Sequence, residues 1–182
     1  MSQTSHFLIQ AILTTRSTFG VNNLGILWPA KTFLPSMAQH NHGHFLVVAS
    51  VMGHISLTGA VDYASSKAAS IGIYEGIRSE MRHLYNAPAV RVSCVSPYTV
   101  NTEMFEGNST PDNFFLPRLT PQGLAETITD VLWSQRAQNR MLPSLSNIMP
   151  LTRLLPEWVS VVSQDVLKDS MSGVRARPGQ AQ

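Results

Sequence analysis

Tyr63 and Lys67 stand four residues apart in Tyr63-Ala-Ser-Ser-Lys67, a spacing that places both side chains on one face of a helix. An ammonium held beside a phenol favours the phenolate and makes the tyrosine a usable proton donor near neutral pH. Ser50 lies thirteen residues before Tyr63, at the end of the apolar run Phe45-Leu-Val-Val-Ala-Ser50. That run reads as a buried strand followed by a loop, and the C-terminal end of a strand is where an open α/β sheet presents groups to a substrate. Asn22 adds a fourth polar group in Phe19-Gly-Val-Asn22-Asn-Leu-Gly25, at the head of an apolar-periodic stretch that runs to about Met37. Two hydroxyls and a lysine arranged this way suit proton transfer at a carbonyl or alcohol oxygen.

Such groups need a scaffold of alternating elements. Helices are expected over about 22–39, 62–85 and 121–135, and strands over 45–50, 90–96 and about 140–143. Strands alternating with helices imply right-handed crossovers and a parallel sheet, hence an α/β fold. No repeat, low-complexity tract or linker divides the 182 residues, so a single domain is expected over 1–182. The helix from Asp62 carries Ala64, Ala68, Ile71, Gly72, Glu75 and Arg78 at spacings of three and four, and its small residues suit close packing against a neighbour.

In order and spacing, Asn22, Ser50, Tyr63 and Lys67 resemble the catalytic tetrad of the short-chain dehydrogenases/reductases. A lone Tyr-x-x-x-Lys is a weak signal; joined to Asn22, Ser50, Gly53 and Thr102 in the right order it is a strong one. Arg91-Val-Ser-Cys-Val-Ser-Pro97 looks like the family's next strand, and Pro97-Tyr-Thr-Val-Asn-Thr102 is similar to its loop for the nicotinamide carboxamide. The likeness covers roughly Thr15 to Pro143. It implies a Rossmann-like doubly wound parallel sheet and NAD(P)-dependent hydride transfer. By the same resemblance Tyr63 exchanges the proton, Ser50 holds the substrate oxygen, and Lys67 lowers the Tyr63 pKa and binds the nicotinamide ribose. Asn22 holds a relay water through its backbone, while Pro97, Val100 and Thr102 contact the carboxamide. In the family the helix after Asn22 and the one carrying Tyr63 pack across a dimer interface, so a homodimer is implied.

The sequence departs from the pattern at its start. No Gly-x-x-x-Gly-x-Gly turn occurs in the 182 residues, and Asn22-Asn23-Leu24-Gly25 aligns with the helix-entry asparagine, leaving the usual Asn-Asn-Ala-Gly element unmatched. The expectation is a partial sheet lacking the N-terminal Gly-rich βαβ unit, the C-terminal two-thirds of an N-terminally truncated dehydrogenase. Three readings stay open: an active oxidoreductase, a non-catalytic binding or dimerising product, and a fragment of a longer coding sequence. NADP is taken ahead of NAD, although the residue that reads the ribose 2′ position belongs to the unmatched part.

Composition narrows the partners. Hydrophobic residues make up 43% and charged residues 13%, so a sizeable core forms under a lightly charged surface that suits an apolar partner or a lipid surface. A net charge of +2 without a basic run argues against nucleic acid. The single Cys94, within an apolar strand, reads as a small core residue, which fits a reducing intracellular compartment. His40, His42, His44 and His54 cluster without a carboxylate, and Asn41-His-Gly-His44 reads as a helix-to-strand turn pivoting on Gly43, with no metal site. The run His6 to Leu13 is shorter than the ~20 residues of a membrane span and reads as a remnant helix.

The segment from Met141 to Val162 is apolar but interrupted by Pro143, Pro150 and Pro156, which points to short helices over 144–182 serving as a lid or lying on a membrane surface. Together with the loop Ser96 to Gly107 and the stretch Ser170 to Arg175, it resembles the branch of the epidermal retinal dehydrogenases and the 17β-hydroxysteroid dehydrogenase 11 and 13 types. Tyr98 stands where most of the wider family has Gly, and Pro-Tyr is compatible with this branch. The branch implies a lipophilic alcohol, ketone or aldehyde as substrate, a retinoid or sterol for example, at the endoplasmic reticulum or a lipid droplet. Without that surface, the cytoplasm is expected.

Overall fold

The computed structural model describes residues 12–102 and 117–167. The sequence likenesses drawn on 103–107 and 170–175 lie outside them. Three strands, β1 (Gly43–Val48), β2 (Val90–Pro97) and β3 (Asn139–Leu142), form a parallel sheet in the order β1-β2-β3. Gly43 pairs with Val90 at one end of the β1–β2 ladder and Val48 with Val95 at the other; β3 enters later, with Asn139 beside Cys94. From Val92 to Pro97 every residue of β2 is buried, as a central strand covered on both faces requires. The expected α/β architecture with parallel strands is thus present. β2 starts at Val90 as expected and runs one residue past the expected end, while β1 both starts and ends two residues earlier than expected, so His44 lies within it and Ser50 lies beyond it.

Helices run α1 (Ile12–Phe19), α2 (Gly25–His40), α3 (Val61–His83), α4 (Pro121–Trp133) and α5 (Glu157–Leu167). One core cluster joins Ala30 and Leu34 of α2 and Ile71, Tyr74 and Met81 of α3 to Val47, Val92 and Cys94 of the sheet. Cys94 is therefore the core residue it was read to be. Helix α4 begins behind the Thr120 cap, whose hydroxyl accepts from the Gly123 amide, and it buries Val131 completely. Asn41 caps α2 in the left-handed conformation, and Gly43 turns the chain at φ 145°, where a Cβ would press on Met37.

One expectation needs correction. Asn22 does not head a helix: α1 already runs from Ile12, and Asn22 sits in a π-helical turn, Gly20–Leu24, between α1 and α2. Nothing in 12–19 breaks a helix, so the chain continues through it, and the extra residue of the π turn is absorbed where Gly20 and Gly25 flank the two asparagines. The residues singled out on α3 fall in different environments. Ala64 and Ile71 are buried, whereas Gly72, Glu75 and Arg78 are exposed, and a Cβ at Gly72 or Gly76 would meet open space. Ile71 and Gly72 are adjacent and so lie about 100° apart around the helix, which puts them on different faces.

The chain after β3 forms a 3-10 segment, Ser144–Leu154, and then α5. Among the described residues no helix is long and apolar enough to cross a membrane.

Candidate active site

Ser50 leaves β1 in an extended conformation and caps the 3-10 turn Val51–Gly53, accepting from the Met52 amide at 3.2 Å. Its hydroxyl donates to the Pro97 carbonyl at 3.4 Å, which ties the ends of β1 and β2 together. Gly53 makes this approach possible: a Cβ there would lie 2.6 Å from Ile71 Cδ1 and 2.8 Å from the Lys67 carbonyl oxygen. The 3-10 turn thereby rests directly on α3, with Ser50 near enough to Tyr63 to act on the acidity of its phenol.

Tyr63 and Lys67 share one face of α3, with Lys67 Nζ 5.8 Å from the Tyr63 ring centroid. The amine donates to the Val48 carbonyl at 3.2 Å, at the end of β1. Burial pushes the Tyr63 phenol above its ordinary value, and the Ser50 contact pulls only part of the way back. Burial likewise lowers the Lys67 amine. The sequence reading had the ammonium lowering the phenol; the opposite direction holds in this structure. Desolvation disfavours both ionic forms, and the amine points its proton at a carbonyl, leaving the phenol without a close counter-charge. What stands beside Ser50 is a neutral phenol, a proton donor in waiting.

Asn22 reaches α3 from the far side. Its Nδ2 donates to Ser66 Oγ at 2.9 Å, and Ser66 Oγ donates to the Tyr63 carbonyl at 2.8 Å. The Asn22 carbonyl accepts from Ser70 Oγ at 3.3 Å. Asn23, Ser66 and Ser70 were missed by the sequence reading. Asn23 Nδ2 donates to the Ser66 carbonyl at 2.7 Å and to Ser70 Oγ at 3.2 Å, and all three residues are buried. An asparagine on the stripe that also buries Ala30 and Leu34 was the available signal. Asp62 was missed as well; its Oδ1 accepts from the Tyr63 amide at 2.8 Å and its Oδ2 from Thr18 Oγ1 at 3.4 Å.

Pro97 is buried at the end of β2, and Tyr98 donates its amide to the Leu142 carbonyl. Val100 bridges Leu119, with Asn101 and Leu119 exchanging amides with Leu119 and Thr99 carbonyls. Thr102 is exposed at the end of the described stretch, and among the described residues no hydrogen bond links Val100 or Thr102 to Tyr63 or Lys67. Of the histidines, His44 Nε2 pairs with Ser93 Oγ at 2.8 Å. The segment after β3 closes over the Ser50 turn: Arg153 donates to the His54 carbonyl at 2.9 Å and to that of Gly53 at 3.4 Å, and Gln164 to that of Ser56.

A family model described as short chain dehydrogenase matches residues 2–113. Human 17-beta-hydroxysteroid dehydrogenase 13 is 36% identical over 80% of this chain and 47% of its own length. Epidermal retinol dehydrogenase 2 of Mus musculus is 32% identical over 82% of this chain and 48% of its own. The chain thus spans about half the length of the curated relatives it matches. Among solved structures, a short chain dehydrogenase from Burkholderia cenocepacia in complex with NADP superposes with a TM-score of 0.67 at 21% identity, over 90% of this chain and 65% of that one. A 4-hydroxyisoleucine dehydrogenase complexed with NADH gives 0.62 at 19%, over 78% and 63%. At those identities the structural likeness speaks of the fold alone.

Proposed function

The chain belongs to the short chain dehydrogenase family, and from that premise we propose that it carries the catalytic half of an NAD(P)-dependent oxidoreductase for lipophilic alcohols and their carbonyl partners. The approach of Ser50 to a neutral, half-buried Tyr63 carries the reading. Two hydroxyls converge at the C-terminal end of β1, where a substrate oxygen would accept both. In reduction Tyr63 gives its proton to that oxygen and Ser50 holds it; in oxidation the alcohol proton returns to Tyr63. Lys67 stands next in line to restore the Tyr63 proton, and the Asn22 carbonyl, bound to Ser70 Oγ, offers an acceptor for a relay water.

The donor set fits the nicotinamide end of a dinucleotide: Lys67 and Tyr63 for ribose hydroxyls, the loop Pro97 to Thr102 for the carboxamide. A nicotinamide nucleotide, when bound, supplies the hydride donor or acceptor. NADP is proposed ahead of NAD, and solved structures of the same fold hold one or the other. The names of the curated relatives support a steroid- or retinoid-like substrate. Exposed Leu151, Leu154, Leu155 and Trp158 support a lid whose outer face rests on an endoplasmic-reticulum or lipid-droplet surface. Exposed Val21, Trp28 and Phe33 beside the open Gly72 and Gly76 support a homodimer across α2 and α3.

A second reading, binding or dimerisation without turnover, is supported by the exposed Val21, Trp28 and Phe33 of the π turn and α2. One experiment separates them: nicotinamide absorbance during incubation with a retinoid or steroid alcohol, for the wild type and for Tyr63→Phe. The oxidoreductase reading expects turnover that falls about 10²–10⁴-fold in Tyr63→Phe. Turnover equal in both proteins overturns the assignment of Tyr63, and no turnover in either favours the second reading.

A further inference from the structure

Away from the Tyr63 site, a cleft of about 340 Å³ opens between the later half of α3 and the first residue of β3. Arg78, its central cation, lies eleven residues beyond Lys67, which is about 16 Å along the helix axis. Arg78 and Arg82 stand four apart and both line this cleft, with His83 adjoining. Like charges at that spacing repel, and among the described residues neither arginine forms a salt bridge that would relieve them. Arg78 is held in place: it donates to the hydroxyl of the buried Tyr74 at 3.0 Å, with its guanidinium 5.9 Å from that ring. Its remaining N–H groups stay available. Ser79 and Asn139 add side-chain donors that have no hydrogen-bond partner among the described residues. The one acidic group at the rim is Glu75.

We propose that this cleft binds a phosphate group through Arg78 and Arg82. Two guanidinium forks on one helix face, one of them fixed by an aromatic ring, match an anion with several equivalent oxygens, and Ser79 and Asn139 reach the oxygens the arginines leave. The volume admits a phosphate with a short attached group and is too small for a dinucleotide, so the ligand is distinct from the nicotinamide cofactor. A soluble phosphorylated small molecule and an anionic phospholipid headgroup present the same chemistry.

Isothermal titration of inorganic phosphate at low salt tests the site in the 182-residue chain, independently of any turnover. Arg78→Gln and Arg82→Gln should each weaken binding at least about tenfold, the scale of a lost charge-assisted bond. Glu75→Gln should tighten it, an opposite sign that general loss of structure cannot produce. Sedimentation with phosphatidylcholine vesicles, with and without phosphatidic acid, finds the source of the phosphate. Capture by phosphatidic acid that disappears in the double arginine variant assigns a headgroup; capture that ignores both arginines, alongside phosphate binding that needs them, assigns a soluble ligand. No saturable phosphate binding by the wild type, or equal binding by all variants, overturns the proposal.

Discussion

The seam between the π turn and α3 and the strap from Ser144 to Leu167 hold the same site from two sides by opposite means. At the seam, Asn23, Ser66 and Ser70 are buried and bonded to one another, with Asn22 joined to them at the edge. The strap leaves Leu154 80% and Trp158 67% exposed and grips the Ser50 turn through Arg153 and Gln164, each donating to backbone carbonyls. Buried polar groups leave few alternatives, because each unmade bond carries its full desolvation cost. Solvent-exposed side-chain bonds to backbone carbonyls, like those of Arg153 and Gln164, can be exchanged for water at little loss. The position of Tyr63 and Lys67 is therefore set by the seam, and the strap is the part free to move or to meet another surface.

The sharpest way to break this contrast is Asn23→Asp. The substitution removes both donated bonds and places a carboxylate against the Ser66 carbonyl in a buried site. A loss of about 3 kcal/mol or more in urea unfolding is expected. A midpoint within experimental error of the wild type would mean that the seam does not fix α3. Gly53→Ala comes next, at about 1–3 kcal/mol, since its Cβ would collide with the Lys67 backbone, which cannot swing aside as a side chain tip can. The same variant should disturb Lys67 and Ser50 together, which a shift of Tyr63 absorbance on alkaline titration would report; an unchanged titration would detach the turn from the site.

On the strap the expected sign of the comparison reverses. Leu154→Ser and Trp158→Ser should each change stability within about 0.5 kcal/mol, because both side chains already face solvent. Together they should release the protein from liposomes if that face rests on lipid. Retained liposome binding would leave the strap a lid only.

What the sequence revealed follows the same division. Strands and helices were legible because their apolar periods are local, and Tyr63, Lys67 and Ser50 were legible because spacing on one helix and one strand end brings them together. The seam was hidden. Asn23 lies on an apolar stripe, and its partners Ser66 and Ser70 are 43 and 47 residues away, so only the tertiary packing tells a buried network from a surface asparagine. The π turn was hidden too, since no residue type marks it as Gly marks a tight turn. Spacing gave the contact of Lys67 with Tyr63 but the wrong direction for the acidity of the phenol, because burial has no signature in an i,i+4 pattern. Arg153 and the His54 carbonyl are 99 residues apart and join through backbone, which composition cannot foretell.

The smallest expected effect concerns the hinge between the two regions, His54. Burial lowers its pKa first, the positive Arg153 lowers it further, and Glu75 opposes them. Its Nε2 is buried without a hydrogen-bond partner, so an added proton would find no acceptor. A histidine kept neutral in the folded state takes its proton later than the unfolded chain does. The stability it contributes is present above the ordinary value of 6.5 and is lost as pH falls through the lower folded value. His44 is lowered as well, by burial and then by Arg91, and adds a slope of the same sign from within the sheet. His54→Phe and His44→Phe divide the two. Loss of the His54 proton site should flatten the fall in unfolding midpoint between pH 7 and pH 5 and should slow hydrogen exchange in 144–167 at the acid end, where Arg153 no longer faces a second positive charge. His44→Phe should flatten the midpoint without altering exchange in the strap. If His54→Phe leaves both the slope and the strap exchange as they are in the wild type, the grip of Arg153 on the Ser50 turn is insensitive to charge at His54.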